Sequence, residues 1–512
     1  MFTRRFIGLL ALFVAFAADA ERINQEGRIL GAVPVVTNSI LFNTTNADAV
    51  VAALQIFPVT NPWNEIISNR PVLVNSDAMM ININTNLVAA HRSLIAEYEM
   101  NFVLMPDNQP LVPFAFVTYP DDSDLNGGVY PSGLYPIPPN MPIEQWPQGL
   151  ILSGLNYSLA QWQTNNDGSD RHSIIVQPGN GAVWETWQAA RTGTNWQASN
   201  GAIFNLNTNG LRPDGLTSGD AAGLPMFPAL VRYDEAERGI VEHACRIVVK
   251  KSRKQHIYPA THDASSTPAT QTNVPAMGQR VRLKASYVST NTWTTEEKAV
   301  LLALKKYGAL VADNGNFFSI SVTPDDRWPA NCFNHLTSVA VTNFEVVQST
   351  GTNEGPRSAG APVANAGADF VAGLSPSATL NGAVSFSNAP PMVQWEKYSG
   401  PGTVTFANAA QTNTTATFSV PGTYVLELSA DDGLHAVAYD AVIVTVTNAI
   451  NVSLTRAGTN LNFTWIGGIA PFVLERTDAL PATFWSGVVT TSLQTASVAM
   501  TNVKSFFRVK GQ

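Results

Sequence analysis

"TATFSVPGTYVLELSADDG", residues 415–433, decides how the C-terminal half is read. Apolar side chains alternate with polar ones on both sides of Pro421-Gly422. A period of two is the mark of a strand with one buried face, and Pro-Gly is turn chemistry. "YDAVIVTVT" (439–447) repeats the pattern, and turn signals recur every 8–12 residues. Such spacing predicts an antiparallel β-sandwich over 362–447.

Upstream, "STGTNEGPRSAGAP" (349–362) has no large apolar residue and is rich in Gly, Ser and Pro. It reads as a linker, assigned to 349–361. Downstream, 451–512 forms a second small β unit, with alternation in Leu461, Phe463 and Trp465. At about 60 residues it is small for independent stability and is expected to lean on its neighbour.

The 362–447 segment also resembles the PKD-like (polycystic-kidney-disease, immunoglobulin-like) modules of secreted bacterial proteins. The residues that carry the likeness are "PVANAGAD" (362–369), "QWEKYSGPGTVTF" (394–406) and "PGTYVLELSADDG" (421–433). The resemblance implies a spacer or binding module without catalysis. The long N-terminal part, 30–348, is similar to a set of exported bacterial proteins with no assigned activity. "NPWN" (61–64), "GLRPDGLTSGDAAGLP" (210–225) and "LKKYGALVADNG" (304–315) carry that likeness, which implies one module and no chemistry.

The main part is mostly β by pattern, with Pro-rich connections such as "YPSGLYPIPPNMPIEQWPQG" (130–149). One helix is well signalled. Thr294 and Thr295 cap it, Glu296 and Glu297 fill its first turn, "KAVLLALKKY" follows, and Gly308 ends it. A second is expected at 85–99. The fold class is therefore mainly β: a large β-sandwich-like N-terminal domain with one or two helices, an Ig-like/PKD-like sandwich, and the small C-terminal unit.

The chain has 512 residues, 45% of them hydrophobic and only 13% charged, with a net charge of −8. Its length suits about three domains. The acidic balance argues against a nucleic-acid partner, since phosphate binding wants a basic face. "MFTRRFIGLLALFVAFAADA" pairs Arg4-Arg5 with an apolar run and an Ala-x-Ala site, so residues 1–20 read as a signal peptide. The protein is expected to be secreted or at the cell surface, with no membrane insertion. Cys245 and Cys332 allow one disulfide or two buried thiols.

Chemistry is the least legible layer. "HIYPATHD" offers His256, Tyr258 and His262, and "RVRLK" places Arg280, Arg282 and Lys284 on one strand face. An imidazole base, a phenol acid and nearby cations are the parts for β-elimination on an anionic, uronic-acid glycan. The same cations equally suit a solvated sheet face, and His256 and Tyr258 an ordinary strand end. Carboxylates for hydrolysis include Glu185, Asp214, Asp220, Asp234 and Glu235, whose separation the sequence does not measure. Trp184 and Trp187 are candidate sugar platforms, on opposite faces if their segment is a strand. The loop 209–225 has apolar anchors and glycines, and Arg212 is expected to pair with Asp214 and lock it. "QTNNDGSD" (163–170) is a loose calcium-loop likeness with Gln163 and Ile174 at ligand positions. No other metal or cofactor pattern is present. Two functions follow: a lyase or hydrolase acting on extracellular polysaccharide, or a non-catalytic surface or matrix protein that binds glycans or proteins.

Overall fold

In the computed structural model, alternation and turn chemistry become four hydrophobic cores strung along the chain. Residues 21–290, 292–500 and 504–511 are described. The expected signal peptide, 1–20, lies outside the described residues.

The alternating stretch of the opening is the centre of the PKD-like sandwich. Its strand Gly422–Asp431 pairs antiparallel with Met392–Ser399 on one side and Ala438–Thr447 on the other. Phe370–Gly373 adds to the edge of Ala438–Thr447 in parallel. The facing sheet runs Ala378–Asn381, Asn413–Phe418, Val404–Phe406. Tyr424, Leu426 and Leu428 turn inward against Trp395, Leu380, Phe418 and Val444, all buried. Each such side chain removed from water contributes about 1.5–3 kcal/mol, which is why the period-two pattern fixes the register. The Tyr424 hydroxyl donates to the Val420 carbonyl at 2.7 Å and pins the turn. The last unit has two three-stranded sheets around Phe463, Trp465, Phe472 and Leu474.

The chain is mainly β, and the main domain adds six α-helices among the described residues where one or two were expected. Thr295–Lys306 is the helix that the sequence signals. Thr294 Oγ accepts from the Glu297 amide, and the Glu297 carboxylate accepts from the Thr294 amide. The helix expected at 85–99 is corrected. Helical structure spans Ser76–Asn86 instead, and Leu94–Tyr98 is a strand. Pairing with Phe318–Val322 wins there, because tertiary pairing outweighs the weak local preference.

The sheet that matters most has six strands in the order Phe344–Val346, Arg280–Leu283, Ala309–Asn314, Cys245–Val249, Phe318–Val322, Leu94–Tyr98. Its pairings are mixed: Cys245–Val249 lies parallel to Ala309–Asn314, and Leu94–Tyr98 parallel to Phe318–Val322. A five-stranded sheet carries Ser173–Gln177 and Ala182–Trp187 beside it. Both cysteines are buried free thiols.

The polar segment after residue 348 does pack. Thr350 and Arg357 bring their side chains to buried Glu65, at 2.9 and 3.1 Å, and Arg70 meets the same carboxylate at 2.6 Å. A stretch without apolar residues can dock when its polar groups find partners, and these do. His435 of the PKD-like module then takes the Ser358 hydroxyl at 2.9 Å.

Candidate functional site

The functional candidate is a carboxylate-rich depression on one face of the six-stranded sheet. Strand alternation supplies it. Glu97 pairs with Ser321 in parallel register, so Glu97, Ser319 and Ser321 share a face. On the neighbouring strand, Val248 pairs with Ser319, which puts Val248 and Arg246 on that same face. Asp313 joins them through a β-bulge. Ile247 faces Val311 but Val248 faces Asp313, so Ala312 is the extra residue. Without it Asp313 would fall opposite Val249 and point to the other side of the sheet. The bulged Ala312 carbonyl accepts from the Ala222 amide, which ties the glycine-rich loop to this spot.

Arg246 is the hub. It is buried, and its guanidinium takes Asp220 in a bidentate pair at 2.9 and 2.5 Å. Its Nη1 donates to Ser321 Oγ at 2.7 Å, and that hydroxyl lies 3.3 Å from Glu99 Oε1. Glu99 and Asp313 stand at 3.9 and 3.8 Å from the two terminal nitrogens of Arg246. The two carboxyl oxygens are thereby within about 10 Å of each other, the range of paired carboxylates in glycoside hydrolysis. Burial pushes the Glu99 carboxyl well above its usual range, with repulsion from Glu97 and Glu144 adding to it. Burial and the nearby Asp220 raise Asp313 to about 7.

His172 forms the other wall. Burial opposes its charge, but Glu144 at 2.8 Å more than offsets this and raises the imidazole to about 10. Its Nε2 faces the Gly219 carbonyl at 2.8 Å, which can only accept, so both ring nitrogens carry protons. Glu144 also accepts the His172 amide at 2.9 Å. Deeper in, Glu185 accepts the amides of Met226 and Phe227, and burial still lifts it to about 7.

Backbone strain gathers at this place. Gln145, Arg171 and Gln188 have φ of 70°, 48° and 58°, which non-glycine residues rarely adopt. The Gln145 amide donates to the Glu99 carbonyl, and the Gln188 amide to the Asp170 carbonyl, both at 2.7 Å. Next to Gln188, the Trp187 indole N–H donates to Asp170 Oδ1 at 3.1 Å. Tyr119, largely exposed, stacks on Trp187 with ring centroids 6.1 Å apart. An amphipathic aromatic surface thus borders the acidic depression.

The residues singled out from sequence lie elsewhere. Arg280 and Arg282 do share a face, but that face meets backbone. Arg280 is buried and donates to the carbonyls of Tyr307 and Pro62. Arg282 engages Glu345 and the carbonyls of Ile67 and Ser68. Lys284 donates to Thr342 O at 2.9 Å. Tyr258 lies under the Arg357 guanidinium, 5.0 Å from its ring, and burial raises its phenol. His256 pairs with exposed Asp214 at 2.8 Å, and His262 faces the Ala221 carbonyl at 2.7 Å. Arg212 pairs with Asp124, not with Asp214, because its side chain turns inward while Asp214 stays in solvent. Trp184 is core, 5.0 Å from Tyr135, whereas Trp187 sits at the surface edge on the opposite face of the strand. In the 163–170 loop, Asp167 accepts both the amide and the hydroxyl of Ser169.

Glu97, Glu99, Glu144, Arg246 and Asp313 were missed. The signal was present: Arg246 interrupts an apolar run, and a buried guanidinium demands a carboxylate.

Comparison with protein families matches residues 366–446 to the PKD domain. This segment is a PKD-like module. It is similar to the solution structure of the PKD domain from KIAA 1837 protein, at 30% identity, covering 22% of this chain and 100% of that one, with a TM-score of 0.16. Immunoglobulin-like domains from titin match at 15% identity over 29% of this chain and 59% of that one, TM-score 0.18. Sidekick-1 immunoglobulin domains 1-4 match at 14% over 40% and 53%, TM-score 0.18. None of the curated proteins compared matches the chain. The PKD-like module occupies the C-terminal half, whereas the acidic depression belongs wholly to the main domain.

Proposed function

We propose that this is a secreted modular protein that hydrolyses extracellular polysaccharide at the depression around Arg246. The observation that carries the reading is the pair Glu99 and Asp313, both with raised pKa and both held within reach of one guanidinium. Two carboxyls in unequal environments are what glycosidic cleavage uses. Glu99, the more strongly shielded, gives its proton to the leaving oxygen as the glycosidic C–O bond breaks. Asp313, once ionised, takes a proton from the water that attacks the anomeric carbon. Arg246 stabilises the ionised forms, and Trp187 with Tyr119 receives a sugar face.

Hydrolysis fits better than elimination. The cations of the Arg280–Arg282–Lys284 face are engaged by carbonyls and Glu345, and His256, Tyr258 and His262 each serve a different local contact. A second reading is non-catalytic binding to a surface glycan or protein. The PKD-like module, of a binding or adhesion type, favours it. Among the described residues no helix is long and apolar enough to cross a membrane.

The test is to incubate the mature chain with a polysaccharide panel, following reducing ends and the absorbance of unsaturated ends separately. Reducing ends without unsaturation, lost in Glu99→Gln and in Asp313→Asn, support hydrolysis. Unsaturated ends that survive both substitutions overturn it, and silence in both assays leaves the binding reading.

A further inference from the structure

We infer that the glycan taken at this site carries free amino groups, as a polymer of 2-amino-2-deoxy sugars does; this rests on the hydrolytic reading of the same depression. Charge complementarity is the reason. Asp220 is matched by Arg246 and Glu144 by His172. Glu97, Glu99, Asp313 and Asp170 remain without a full cationic partner of their own. A bound ammonium would supply the missing charge, while a uronate or sulfate would meet like charge.

Two further observations point to a ligand. The Ser319 hydroxyl is wholly buried on the same strand face, beside Glu97, and meets no partner in hydrogen-bonding geometry. It is a polar group left for something else to satisfy. The indole of Trp187 holds Asp170 at 3.1 Å while its ring stacks on Tyr119. A sugar resting on that ring would bring its ammonium both to an aromatic face and to a carboxylate, so cation–π and ionic attraction act together. The earlier expectation of an anionic glycan rested on Arg280, Arg282 and Lys284, whose donors the fold already uses.

The probes are β-1,4-linked glucosamine tetramer, its fully N-acetylated counterpart, and a uronate tetramer of the same length. Binding to the full mature chain is followed by tryptophan fluorescence and calorimetry. At low salt the amino tetramer is expected to bind about tenfold more tightly than the acetylated one, with the gap shrinking toward 1 M salt. Asp170→Asn and Glu97→Gln should narrow the same gap, in variants whose thermal unfolding matches the parent. If a variant does not fold, the salt dependence of the unaltered chain decides. Equal or tighter binding of the acetylated or uronate tetramer overturns the inference, as does no binding of any tetramer. Reducing-end release is scored apart from binding. Cleavage of a uronate polymer in preference would sink the substrate class and leave hydrolysis standing. Tight amino-glycan binding with no cleavage of any polymer would do the reverse.

Discussion

Asp313 and Glu185 are both carboxyls that burial raises to about 7, yet they answer different questions. Asp313 borders solvent, and the proposed base must be ionised, so activity should fall below about pH 7 as it takes up a proton. Activity should fall again at higher pH, when Glu99 loses the proton it donates. A rate profile from pH 4 to 10 checks this, and a rate that stays flat through the neutral range would remove Asp313 from the role. Glu185 is sealed among the Met226 and Phe227 amides and reports on stability. Its folded pKa is raised, so its contribution is complete below about 4.5 and is lost as pH rises through about 7. Glu185→Gln keeps the shape and removes the titration. The parent should therefore lose melting temperature relative to the variant between pH 5 and pH 9. Sequence could not rank these carboxylates. Asp220 and Glu185 were among the hydrolysis candidates, but the depth of each side chain depends on neighbours many residues away.

At the scale of elements, legibility followed the strength of local pattern. The helix Thr295–Lys306 carries its own cap, and reciprocal bonds between Thr294 and Glu297 form as that signature implies. Thr294→Ala should cost about 1 kcal/mol of stability, read from urea unfolding. Glu297→Ala should cost more, because the same carboxylate also accepts the His335 amide at 3.0 Å and faces its ring at 2.8 Å. Equal losses would mean that His335 contributes nothing. The strand Leu94–Tyr98 had no such local signature. Its Glu97 alternates with apolar Ile95, a period of two that a helical reading obscured, and only the pairing with Phe318–Val322 selects the strand. The bulge at Ala312 was invisible for the same reason: register is a property of two strands, and one sequence segment does not contain it.

At the scale of the whole molecule, the PKD-like module was the most readable part because its strands alternate on short turns and bury one face each. How it meets the main domain was unreadable. The segment 349–361 looked like free tether by composition, but Arg357 is 4% exposed, shared between Glu65 and the Thr60 carbonyl at 2.9 Å, with its guanidinium over Tyr258. Removing that side chain leaves the Glu65 carboxylate buried with only Arg70 and Thr350 beside it. Losing a charged partner inside a protein leaves desolvation uncompensated, so Arg357→Ala should destabilise the main domain by about 2–4 kcal/mol. It should also loosen the segment that positions Ser358 against His435, and so free the PKD-like module from its seat. Two readouts separate these effects. Calorimetry should show the main-domain transition moving down while that of the sandwich stays in place, because the core of the sandwich around Trp395 and Leu428 is its own. Limited proteolysis should open a new cut between residues 349 and 361. A variant that melts earlier but resists that cut would show that the two modules are held together by the Ile29–Tyr398 contact and its neighbours, and not through the arginine.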